Sequence, residues 1–160
     1  MSRFASDGKI KAVWCTTIAD ISAPTTTELG AGTDITTFIA KNGLKLGGSQ
    51  AMVDNGDIST SFEAEVIGTW KQDIELELFR DSVTADDDAW TLAVWGTNGF
   101  LVVRRGLAYS TAWAAAQKCE VYPAQMGQPL MKDTAANENA KFTLKLAVTS
   151  TPNVKATVAS

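Results

Sequence analysis

An all-β fold with one α-helix, its antiparallel strands packed as a β-sandwich or partly closed barrel, is what this sequence predicts. Three observations predict it. Apolar and polar residues alternate strictly in Phe62–Val66, Asp73–Leu78 and Phe142–Val148, the two-residue period of a strand with one buried face. Runs rich in β-branched and aromatic residues are separated by Gly, Pro and Asn, the punctuation of turns. Only one segment, Asp86–Trp95, combines a helical stripe with start and stop signals.

In chain order, residues 1–8 read as an N-terminal arm, and Lys9–Ala19 as an extended strand containing Trp14. Pro24 and the run Thr25–Thr27 mark a loop, and Asp34–Ala40 a second β-prone piece. Residues 41–58 contain Asn42-Gly43, Gly47-Gly48 and Asn55-Gly56. They read as one long loop, because Asn-Gly supplies the positive φ of a tight turn. Ser59–Ile67 and Trp70–Phe79 read as a hairpin about Gly68-Thr69. With the apolar faces inward, Glu63, Glu65, Asp73, Glu75 and Glu77 would share one sheet face. In the helix, Thr84 is placed as N-cap, Asp87 at the capping-box position, and Asp86–Asp88 in the first turn, where the helix dipole favours acids. Phe100–Arg105 is a buried strand, and Tyr109–Gln117 a short helix or packed loop. Lys118–Gln125 and Lys141–Thr149 are the last strands, and residues 153–160 a small polar tail. A single domain accounts for all 160 residues.

Composition narrows the function. The chain has no histidine, which removes the commonest general base and metal ligand. Cys15 and Cys119 lack a C-x-x-C partner and read as free buried thiols. No apolar run reaches membrane-span length, and the start has no long apolar stretch, so neither a span nor a signal peptide is expected. Net charge is −4, unevenly spread. Between Asp54 and Asp88, eleven acids face only Lys71 and Arg80, leaving −9, while the rest carries +5. Such asymmetry points to contacts between copies or a field imposed on a partner.

No motif carries catalysis. Asp86–Asp88 are consecutive, so they cannot all face one cation, and helix-terminal charge is the better reading. Asp54-Asn55-Gly56-Asp57 resembles a calcium-loop fragment but has no bidentate Glu at the right offset. Gly43–Gly48 lacks the Gly-Lys-Ser/Thr of a phosphate loop. Arg104 and Arg105 face opposite sides of a strand and read as salt bridges to a neighbouring subunit rather than a phosphate site. The acidic row is different, because like charges on adjacent strands destabilise a sheet. It calls for a basic partner or a use for the negative field.

Three ordered segments carry a family resemblance. Ile18-Ala19-Asp20-Ile21-Ser22-Ala23-Pro24-Thr25 runs on to Glu28-Leu29 and Gly32-Thr33-Asp34. Gly99–Gly106 is an apolar strand ending in two arginines. Lys118–Pro152 joins Cys119-Glu120-Val121-Tyr122-Pro123 to the alternating Phe142–Val148. Together they resemble the major tail tube protein of long non-contractile-tailed bacteriophages. The resemblance implies the phage tail tube type of β-sandwich or partial barrel, with neither cofactor nor catalysis. It implies rings of six copies, joined through their inner strands into one barrel, and stacking of rings into a tube. Tape measure, tail terminator and baseplate proteins are the implied partners. The implied location is the virion tail, after assembly in the host bacterial cytoplasm. Genome DNA would pass through without specific binding, since a cationic lining would hold phosphates. The 41–58 loop, with Asn42, Gly43, Lys45, Gly47, Gly48, Asp54, Asn55 and Gly56, would reach between rings. Glu63, Glu65, Asp73, Glu75 and Glu77 would line the lumen or an interface. The alternative is a monomeric β-sandwich module that recognises carbohydrate or protein.

Overall fold

The computed structural model describes residues 1–160. Nine strands form one hydrogen-bonded sheet that folds over on itself into two facing layers. The strands are β1 (Ile10–Cys15), β2 (Thr33–Asp34), β3 (Ile39–Asp54), β4 (Glu65–Phe79), β5 (Asn98–Arg105), β6 (Lys118–Met126), β7 (Leu130–Met131), β8 (Lys141–Val148) and β9 (Asn153–Thr157). Every strand pair is antiparallel. One layer runs β2-β1-β5-β6-β9 and the other β3-β4-β8-β7, with the β6–β8 pairing as the seam.

Burial explains why the two layers differ in sequence. In β1, β5 and β6 both faces are covered. Ala12, Trp14, Leu101, Val103, Tyr122 and Ala124 face the other layer. Val13, Cys15, Val102, Cys119 and Val121 pack with Leu29, Ala156 and Val158 on the far side. Two-sided burial calls for unbroken apolar runs, as in Ala12–Cys15 and Leu101–Val103. In β4 and β8 only one face is covered: Ile74, Leu76, Leu78, Phe142, Leu144 and Leu146 go into the core. That is why these two strands alternate.

The structure corrects four expectations. Residues 41–54 are not loop but most of β3, sixteen residues long. The connection to β4 is confined to residues 55–64, closed by Asn55 N–H donating to the Ala64 carbonyl at 2.8 Å. The turn expected at Gly68-Thr69 is a bulge. Gln50 pairs with Trp70 and Met52 with Ile67, so two residues of β4 oppose Ala51. Asn42-Gly43 likewise sits in an irregularity, where residues 40–43 pass Glu77. Residues 153–160 are not a free tail. Asn153–Thr157 pairs with β6, Val158 is buried, and the Ala159 carbonyl accepts from Thr26 N–H.

The helices also differ from expectation. The expected one shrinks to α2 (Asp88–Leu92). Asp87 does not cap it, because its buried carboxylate accepts from Arg80 Nε at 2.7 Å and from Asp81 N–H at 3.1 Å. A second helix, α1 (Thr26–Ala31), lies where a loop was expected. Thr25 Oγ1 accepts from Glu28 N–H while Glu28 Oε2 accepts from Thr25 N–H, the reciprocal capping box.

Candidate functional site

Three exposed surfaces remain once the body is packed. The first is the β3–β4 hairpin. β8 pairs with β4 only over Asp73–Phe79, so Glu65–Gln72 and the facing half of β3 project beyond the sheet. Met52, Val53, Ile58, Phe62, Val66, Ile67 and Trp70 are all exposed there. An isolated two-stranded ribbon is marginal in water, and this one presents large apolar side chains that its own chain leaves uncovered. From residue 46 to residue 70 its only charges are Asp54, Asp57, Glu63 and Glu65.

The second surface is the uncovered face of β3-β4-β8, where the sequence placed its acidic row. The five acids do not share it. Glu63 lies in the connection, Glu65 at the start of β4, and the bulge separates both from Asp73, Glu75 and Glu77. The last three do alternate on this face, but lysines interleave them. Glu75 pairs in register with Lys45 on one side and Lys145 on the other. Glu77 meets Lys132 at 3.2 Å and Lys141 at 3.4 Å, and Asp73 meets Lys71 at 3.1 Å. The Lys132 and Lys141 contacts hold the Glu77 carboxyl below the usual carboxylate range. The like-charge penalty is therefore absent, because each β4 acid faces opposite charge across the strands.

The third surface is a groove of about 980 Å³ at the hairpin root. It lies between Trp70–Asp73, Trp95–Gly96, the end of β6 and the turn after β8. Trp70 alternates with Gln72 and Ile74, so the groove continues the core-facing side of β4 past the point where β8 ends. Trp95 is 71% exposed on its opposite wall.

The remaining motifs are structural. Asp54 Oδ1 accepts from Gly56 N–H and Asp57 Oδ1 from Ser59 N–H, both at 2.8 Å, two side-chain turns. Arg105 does not await a neighbouring subunit: it pairs with Glu120 at 3.0 Å within the chain. Arg104 is buried and donates to the carbonyls of Ala108 and Thr111 at 2.9 Å and to Gln117 Oε1 at 3.1 Å. It thereby shapes the packed loop before β6, a role that the sequence alone did not reveal. Cys15 and Cys119 are free and buried, their thiols pushed up to about 11 by burial. No cluster of three or more metal-ligating side chains exists, and no helix is long and apolar enough to cross a membrane.

A two-layer β-fold with an open face and a projecting ribbon, and no assembled catalytic group, defines a structural tail-machinery subunit. The chain belongs to the phage tail tube protein family, whose pattern matches residues 1–160. No curated protein sequence matches it. Its fold is similar to a chain in the cryo-EM structure of the anti-feeding prophage (AFP) baseplate, 6-fold symmetrised. That likeness has a TM-score of 0.58 at 13% identity and covers 96% of each chain.

Proposed function

We propose that six copies of this chain close into a ring and that rings stack into the tail tube through which genome DNA leaves the virion. The observation that carries the reading is the β3-β4-β8-β7 layer, open at both edges. The outer edge of β3 has no partner strand, and β7 at the other edge is only Leu130–Met131, both exposed. Open edges are a template for pairing with another chain, and closing them into a barrel removes the hazard. Pairing β3 of one copy with the β7 margin of the next continues the layer around a ring. The six-fold symmetry of the similar baseplate supports six copies. Stacking is head-to-tail, the contact type that extends without closing.

In this ring the uncovered face of β3-β4-β8 turns to the channel. Asp73, Glu75 and Glu77 stand there among Lys45, Lys71, Lys132, Lys141 and Lys145. The lining is ion-paired rather than bare and negative. Each lysine has a carboxylate neighbour, so no free cationic row is left to hold phosphates. The chain performs no catalysis, assembles in the host bacterial cytoplasm, and meets tape measure, tail terminator and baseplate proteins at the ends of the tube.

Light scattering and negative-stain imaging of purified protein, alone and with tail-initiation partners, test this. Rings and tubes are expected. Protein that stays monomeric in both conditions overturns the reading, and a monomer with affinity for a glycan or protein favours a recognition module.

A further inference from the structure

We propose that the hairpin tip of one copy docks into the groove at the hairpin root of a second copy in the adjacent ring. This rests on the tube reading above. The two surfaces match in chemistry. The tip offers Ile58 and Phe62, the latter 78% exposed, with four acids and no base nearby. The groove offers Trp70 and Trp95 as walls, Met126 and Val148 as floor, and Lys71 and Lys145 at its margin. Apolar side chains enter an apolar slot while acids meet lysines, the complementarity that fixes register and orientation.

The lengths match as well. β4 splits almost evenly, with eight residues (65–72) in the projection and seven (73–79) paired to β8. At roughly 3.4 Å per residue the two parts span about 27 Å and 24 Å. A copy displaced along the strand by one body length therefore brings its own hairpin root to the level of the incoming tip. A tip cannot reach the root of its own hairpin, because the strand between them is extended. The contact is thus tip to root of another copy, and repetition sets the ring spacing by hairpin length.

Disulfide trapping tests it. F62C and W95C chains, mixed in equal amounts, are polymerised and oxidised; the native thiols at Cys15 and Cys119 are buried. The expected result is a covalent dimer that forms only in the mixture and only after assembly. If the unaltered chain forms no tubes, the tube reading itself fails. If tubes form without this dimer, the docking fails alone, and a dimer of F62C with K118C instead would place the tip on another surface. If either cysteine variant stays folded but blocks assembly, charge exchange decides. E63K/E65K chains should lose polymerisation and regain it when mixed with K71E/K145E chains, and no recovery overturns the proposal.

Discussion

At the scale of single residues, buried polar groups are tied more tightly than their positions in sequence indicate. Arg104 has no carboxylate contact; carbonyls of its own following loop surround it, and Trp113 stacks 4.9 Å from its guanidinium. Arg104→Met is expected to leave those carbonyls unpaired, at about 1–3 kcal/mol for each buried group. Urea unfolding and faster amide exchange in residues 107–117 would show it, and unchanged exchange would contradict it. Phe142 is fully buried, its ring 5.0 Å from Trp90 in an edge-to-face pair. Phe142→Ala is expected to cost about 3–5 kcal/mol, read as a lower urea midpoint. Glu77 gives a pH signature. Its lowered value means that its lysine contacts stabilise the fold above the ordinary carboxylate value of 4.5 and are lost as pH falls through the folded value. E77Q should therefore melt below the unaltered chain at neutral pH, and the gap should close in acid. A gap independent of pH would show that the lysine contacts contribute nothing.

At the scale of elements, the legible parts were those decided locally. The alternation of Asp73–Leu78 and Phe142–Val148 and the unbroken apolar runs of β1 and β5 reflect how many faces each strand buries, so they could be read directly. The glycines could not. Gly43, Gly48 and Gly68 lie in β3 and β4, each facing a backbone carbonyl of the opposite strand: Glu77, Lys71 and Ala51 respectively. A Cβ at Gly43 would stand 2.5 Å from its carbonyl. A glycine required by close approach looks the same in sequence as one required by a turn, and only the partner strand tells them apart. The acidic row was half legible for the same reason, since the lysines that neutralise it arrive from β3, β8 and beyond β7. Helix α1 had a readable signal in Thr25-x-x-Glu28, masked by Pro24 and the threonine run. Removing that cap with Thr25→Ala should cost about 1 kcal/mol, measured as a shifted urea midpoint. No shift would show that Glu28, through Ala19 N–H at 2.9 Å, holds the segment by itself.

At the scale of the whole molecule, one layer is sealed on both faces and the other is open on one face and both edges. The sealed layer gives the subunit a stable body, and the open layer gives it places to join others. The channel assignment predicts the behaviour of E75K/E77K, which sets added cations among Lys45, Lys132, Lys141 and Lys145. Tubes should still assemble but retard DNA passage, with stronger hold at low salt. Failed assembly would place this face at a subunit interface, and normal assembly with normal infection would leave it as plain surface. The continuity of β4 has a mechanical consequence. The same strand forms the projecting arm and a central member of the body, with no hinge between them. A pull on the arm along its length loads the seven register pairs from Asp73–Ala147 to Phe79–Lys141 in shear, all together. A sideways pull would instead peel them one by one. A tube held through such arms should resist stretching far better than it resists bending.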